Sequence, residues 1–330
     1  MGRSAAVSSA LLVLVVFSLG AWGCLFAPRD RADAAPAFDT EAELVAANAM
    51  FAAGDYEGAR LVFERAIEVN PELPDGYLGV GDIHRAEGDL VAAETAYAGA
   101  AGAAPQSFEA QYKHGLVLQL LSRLSESVGA YMRALEVDPD SFEANLNIAT
   151  AYLQLGEPRQ GVIFATNAVE LEPRSGPARV NLAALYASMG SWPDAAREYQ
   201  FAAELTELTP DLTLTLADAQ IRSGDLPSAV LTLEGLAEVS PTPMVFERLG
   251  AARFKSRDDA GALEAFAAAI ELDPLHYPAL NGLGVCRLND FLRSGRADRD
   301  ALESALNYLR ASLRANPRQP RVKELLTRFG

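Results

Sequence analysis

Beyond residue 40, apolar side chains recur three and four places apart, as in Leu146, Ala149 and Leu153 and then Val162, Ala165 and Val169. That spacing lines one face of an α-helix. The runs are short and are cut at regular places. Glycines stand at 54, 88, 156, 190 and 224, and prolines at 71, 105, 139 and 173. The prolines are 34 residues apart, and so are the glycines once Ser122 is counted in the one place where glycine is missing. Glycine ends a helix because the left-handed backbone after the last turn costs it little. Proline ends the next one, since it lacks an N–H and keeps the residue before it out of helix. The pattern predicts a helix–turn–helix unit repeated about eight times, with starts near 40, 74, 108, 142, 176, 210, 243 and 277. In such an array each unit buries its apolar face only against its neighbours.

Within the unit, residue types also return at fixed positions. The second carries Tyr77, Val80-Gly81, Ala93, Tyr97, Ala100 and Pro105, with His84 where another unit has Tyr186. The fifth carries Leu182-Ala183, Trp192, Ala195, Tyr199 and Ala202, and the seventh Phe246, Leu249-Gly250, Ala262, Phe266, Ala269 and Pro274. These residues resemble the tetratricopeptide repeat family. The resemblance implies an all-α fold, a right-handed superhelical array (solenoid), with the first helix of every unit lining a concave face.

The departures from the pattern carry their own expectations. Gly161 replaces alanine in the fourth unit, and Glu207 stands where the fifth should have its proline. The eighth unit reaches Ala305, Leu309 and Pro317 about nine residues late, so NDFLRSGRADRDALES lengthens its helix pair. The last stretch, RQPRVKELLTRFG, reads as a short amphipathic capping helix over residues 318–330. The expected division is a membrane anchor or signal segment over 1–28, a tether over 29–39, the superhelix over 40–317, and the cap.

By the family's register, the concave face includes Tyr112, Lys113, Leu146, Asn147, Thr150, Asn181, Thr215 and Asp218. The cations that clamp a terminal carboxylate in chaperone-binding members are missing, because Leu44, Gly79 and Glu109 occupy their places. Instead Lys113, Asn147, Asn181 and Thr215 share the sixth position of four successive units. Asparagine there resembles the ladder in the superhelix of O-linked N-acetylglucosamine transferases, which holds the backbone of an extended chain. An amide both donates and accepts, so it can pair with a peptide unit whatever the side chain. The expected partner is a protein or extended peptide. Asn145, two places earlier, is expected to serve packing or bonding between units.

Charge narrows the partners further. The chain has 28 Lys and Arg against 44 Asp and Glu, a net of −16, so nucleic acid would meet a repulsive field. The charge is unevenly spread: residues 40–276 carry 15 cations and 36 anions, residues 277–330 carry 10 and 5. No H-E-x-x-H, C-x-x-C, G-x-S-x-G or phosphate-loop spacing occurs, and the three histidines fall in repeat or turn positions. His84 and His114 are expected to face the stack interior. A non-catalytic chain without cofactor or metal is the expectation. A structural assembly subunit acting through the array's ends and outer face is the alternative.

Ala10 to Ala27 reads ALLVLVVFSLGAWGCLFA, and no charge occurs from Ser4 through Pro28. About 20 apolar residues span a bilayer core, whereas a cleaved leader's apolar run is about 7–15. Length therefore favours an anchor; with Arg3 inside, the repeats lie outside the cytoplasm, although Arg29 and Arg31 pull the other way. Ala21-Trp22-Gly23-Cys24 leaves a lipoprotein open, and Ala32-Asp33-Ala34 leaves cleaved export open. The mass of the mature N-terminus separates them: intact Met1 is the expected result, a lipidated Cys24 would mean a lipoprotein, and a start at Ala35 would mean export.

Overall fold

A computed structural model of the chain describes residues 39–206 and 209–330. The anchor or signal reading, Cys24, the tether before Asp39 and the missing proline at Glu207 lie outside them. The described residues form seventeen helices and no strand. The odd helices are α1 (Thr40–Ala52), α3 (Pro74–Glu87), α5 (Phe108–Leu120), α7 (Phe142–Leu155), α9 (Gly176–Ser188), α11 (Pro210–Ser223), α13 (Pro243–Lys255) and α15 (Tyr277–Arg293). Between them run α2 (Tyr56–Val69), α4 (Leu90–Ala103), α6 (Leu124–Val137), α8 (Pro158–Leu171), α10 (Trp192–Leu205), α12 (Leu226–Val239), α14 (Asp259–Leu272) and α16 (Arg299–Ala315). A last helix, α17 (Pro320–Phe329), follows. The fold class expected from the repeat pattern is the one observed.

The helices stop where the backbone chemistry stops them. Gly88, Gly156 and Gly224 close α3, α7 and α11 in the left-handed conformation, at φ between 74° and 88°. Ser122 takes the same conformation at φ 60°, and Arg257, in the glycine place of the seventh unit, takes it at φ 68°. Starts are capped by short polar side chains. Ser107, Ser141 and Ser175 each accept a hydrogen bond from the backbone N–H three residues on, which satisfies a donor the helix itself leaves orphaned.

Each helix packs on the next in sequence, and odd helices also meet the next odd helix, as α1 with α3, α7 with α9 and α13 with α15. Even helices make no comparable approach to one another among the described residues. Odd helices thus form the inner wall of the stack and even helices its outer side. The core is a succession of local clusters rather than one centre, for example Tyr97 with Leu78, Ala93 and Ala110, and farther on Phe266 with Ala262, Ala279 and Leu283. The eighth pair is longer than the others: α15 and α16 have 17 residues each, against 13 or 14 elsewhere. Both helices of the pair share the insertion.

Helix pairs close through one contact. The eighth residue of the odd helix is Gly81, Gly115 or Gly250, and an aromatic ring from the even helix, Tyr97, Tyr131 or Phe266, lies on it. A Cβ built at Gly81 would sit 2.5 Å from the Tyr97 ring. Gly102, in α4, has open space around it. Gly81→Ala is therefore expected to lower stability by about 1–3 kcal/mol through overpacking. Gly102→Ala should raise it by about 0.5–1 kcal/mol by removing backbone entropy from the unfolded chain. Thermal unfolding of the two variants beside the parent measures the opposite signs.

Candidate functional site

The fourth residue of three successive odd helices is polar and faces the joint before it. Gln111 Nε2 donates to the Pro105 carbonyl at 3.3 Å and to that of Ala101 at 3.2 Å. Asn145 Nδ2 donates to the Pro139 carbonyl at 3.4 Å and to that of Ser141 at 2.8 Å. Arg179 Nε donates to the Pro173 carbonyl at 3.0 Å. The same side chains are held from the even helix of their own unit, by Arg133 on Gln111, Asn167 on Asn145 and Glu198 on Arg179. Each is a clasp that ties the proline joint to a helix pair. Asn145 is fully buried in this role and does not reach the concave surface. The sequence reading noticed Asn145 alone. Gln111 and Arg179 carry the same signal, a polar residue six places after the joint proline.

The inner wall is built from the sixth and ninth residues of the odd helices. Lys113 Nζ lies 2.7 Å from Asp82 Oδ2, Asn181 Nδ2 donates to Thr150 Oγ1 at 2.6 Å, and Arg248 Nε lies 2.9 Å from Asp218 Oδ1. In all three a sixth residue reaches the ninth residue of the preceding unit. Where that ninth residue is Leu116, Asn147 turns instead to the Tyr112 hydroxyl, donating at 3.0 Å. Where it is Ala184, Thr215 donates to the Asp211 carbonyl of its own helix at 2.8 Å. The row Lys113, Asn147, Asn181, Thr215 thus lies along the odd helices. The amides of Asn147 and Asn181 give an N–H to the wall itself. The pairing of sixth with ninth positions went unread in the sequence, although Asp82 with Lys113 and Asp218 with Arg248 spell it out.

Electrostatics on the wall follow from these ties. Burial works against the Lys113 ammonium, but the hydrogen bonds it donates to Asp82 and to Glu109, the latter at 2.9 Å, outweigh it and raise its pKa. Asp82 also accepts from the Tyr97 hydroxyl at 2.7 Å, so one carboxylate joins the wall to the ring that closes its helix pair. Burial raises the carboxyl pKa of Glu247 although Arg248 lies 2.8 Å away. Capacity is left unspent on α9, where the buried Asn181 Oδ1 has no hydrogen-bond partner among the described residues, and more openly on α5 and α7. Leu120 is 52% exposed, Leu116 and Leu146 are half-buried, and the side-chain Oδ1 of Asn147 receives no hydrogen bond from within the described residues. Thr150 donates back to the Leu146 carbonyl at 2.9 Å, which orients its oxygen toward Asn181.

Groups with chemical potential elsewhere are held inactive. Cys286 is 2% exposed, and burial pushes its thiol up to about 11. Trp192 opens α10 and is covered by the Arg222 guanidinium at 4.6 Å. His84 is half-buried with Nδ1 3.6 Å from Glu87, nearer the surface than a stack-interior position implies. His114 has both ring nitrogens buried without a hydrogen bond, its Nε2 lying 3.5 Å from Glu94.

These features define a class: a helical-hairpin array with a polar-tied inner wall and no assembled reactive centre among the described residues. The tetratricopeptide repeat profile matches residues 44–108 and 180–242, and a second profile of the same description matches 130–162. The chain belongs to the tetratricopeptide repeat family. Similar solved structures include the following three. A tetratricopeptide repeat protein from Parabacteroides merdae is 19% identical over 71% of this chain and 93% of that one, with a TM-score of 0.49. The pilF protein of Pseudomonas aeruginosa is 17% identical over 61% of this chain and 92% of that one, with a TM-score of 0.50. A chain of a complex bound to HypK-THB is 17% identical over 88% of this chain and 44% of that one, with a TM-score of 0.55. Among curated proteins, none matches the chain significantly.

Burial lowers the His114 pKa in the folded chain, against an opposing pull from Glu94. The unfolded chain then takes up the proton first as pH falls through about 6.5, so stability is lost on acidification. Leucine is the usual residue at this place, and His114→Leu is expected to shrink the fall in melting temperature between pH 7 and pH 5. Parallel melts of parent and variant at the two pH values measure the difference.

Proposed function

We propose that the chain is a non-catalytic scaffold that holds a protein or extended peptide on its concave wall, positioned outside the cytoplasm by its N-terminal segment. Tetratricopeptide repeats generally serve protein interaction, and the repeat array spans the described residues. The observation that carries the reading lies on α5 and α7, which present exposed Leu120, half-buried Leu116 and Leu146, and an Asn147 side-chain Oδ1 with no donor among the described residues. An apolar floor with an unspent acceptor suits an extended segment, which brings alternating side chains and free backbone N–H groups. Each such bond nets about 1 kcal/mol, so recognition is weak per unit and gains strength from several units in line.

Membrane placement rests on the apolar run Ala10–Ala27. No helix among the described residues is long and apolar enough to cross a membrane.

The test pairs two full-length variants in partner recovery from the native membrane fraction. Leu120→Glu/Asn147→Ala alters the wall, and Leu231→Glu alters the outer side, where Leu231 is 70% exposed. Loss of the partner from the first variant alone, with helicity intact by circular dichroism, is expected. Equal recovery by both variants would remove the concave wall from the proposal.

A further inference from the structure

Interior repeats cover the third and tenth residues of the odd helix with the even helix before it, in part at Leu212 of α11 and fully elsewhere. Ala110, Ala144 and Ala178 at the third place, and Val117, Ala151 and Leu185 at the tenth, are each 0% exposed. The first repeat breaks this rule. Ala42 and Ala49, at the same two places of α1, are exposed, and Val45 between them is 66% exposed. Around the corner of the helix lies a groove of about 430 Å³ floored by Leu44, Val45 and Leu73 and edged by Glu41 and Asp75. Glu41 and Glu43 are exposed, and the first cations after them, Arg60 and Arg65, are engaged by Glu87 and Glu68. The N-terminal end of the array is thus an apolar helix face rimmed by carboxylates that have no ion-pair partner among the described residues.

The opposite end has the opposite sign. α17 packs Val322, Leu325 and Phe329 toward α15 and α16, and begins with a proline as α3, α11 and α13 do. It is in effect a ninth odd helix without an even helix behind it. Arg318, Arg321, Lys323 and Arg328 are exposed around it. Only Glu324 is acidic among residues 304–330, which hold six cations besides.

We propose that the N-terminal end of the array receives the basic C-terminal end of a second copy, α17 with the residues that lead into it. Charge selects this pairing over the two symmetric ones. Head against head would bring the Glu41 and Glu43 carboxylates of both copies together, and tail against tail would do the same for the arginines. Only head to tail juxtaposes unlike charges and covers the exposed Ala42, Val45 and Ala49. The net charge of −16 repels the bodies of two copies, but at physiological salt that repulsion is screened beyond about 8 Å, while groups in contact still attract. A head-to-tail contact is heterologous and leaves a free end at each side, so it builds open rows rather than closed dimers. Rows fit a tethered chain: a tether of about eleven residues reaches at most about 39 Å, enough for each array to lie beside its own membrane attachment. The inference is separate from the concave wall, which stays open along such a row.

Charge exchange tests it on the full chain in non-ionic detergent, with association followed by sedimentation velocity. Glu41→Arg/Glu43→Arg gives a chain positive at both ends, and Arg321→Glu/Lys323→Glu/Arg328→Glu gives one negative at both ends. The parent is expected to associate with rising concentration, each variant alone to associate at least about 10-fold more weakly, and an equal mixture of the two to recover association. Recovery in the mixture also shows both variants folded. A parent that stays monomeric at every concentration reached, variants that associate as the parent does, or a mixture no more associated than its components would each overturn the proposal.

Discussion

Everything in this molecule hangs on how closely two helices of one repeat can approach. An aromatic ring from the even helix packs against a backbone with no side chain, Tyr97 on Gly81, Tyr131 on Gly115 and Phe266 on Gly250. With the ring seated, the odd helix stands at a set distance and angle, and its third and tenth residues are presented to the preceding pair. Units with Ala183 or Ala217 in place of glycine keep the approach close, since both alanines are fully buried. A solenoid has no central core to average out a local error, so each such contact matters to both neighbours.

The inner wall is the consequence of that spacing rather than an independent design. Once odd helices lie side by side, the sixth residue of one comes within hydrogen-bond reach of the ninth residue of the last. Lys113 with Asp82, Asn181 with Thr150 and Arg248 with Asp218 take that opportunity. Exceptions occur where the chemistry is absent: Leu116 cannot accept, so Asn147 turns to Tyr112, and Ala184 cannot accept, so Thr215 bonds its own helix. The wall therefore carries stabilising ties and, around Leu116, a patch with unsatisfied binding capacity. The exception, not the ladder as a whole, is the part of the wall best suited to a partner.

A second division runs along the array. The body is anionic and the last hairpin with α17 is cationic, while the terminal faces differ in how they are finished. The C-terminal face ends in a helix whose outward side is polar, as a capping helix should be. The N-terminal face keeps the alanines that every other repeat buries. Repeat proteins pass strain and charge only to their neighbours, so the two ends are free to differ in this way.

The helices, their order and their joints are legible along the chain because they depend on local chemistry: the period of apolar residues, glycine where φ must be positive, proline where a helix must stop. Ser122 was legible as a glycine substitute by its place in the period, whereas Arg257 was not, since nothing in an arginine announces a left-handed backbone. The tertiary structure alone decided what the polar residues of the inner helices do. Asn145 and Asn147 differ by two places and share a side chain, yet one is buried against a proline carbonyl and the other faces the wall. That difference is set by a 200° turn of the helix and by which neighbour stands opposite. Partners 22 to 35 residues away, Asn167 for one and Tyr112 for the other, come into reach only after the repeats have stacked.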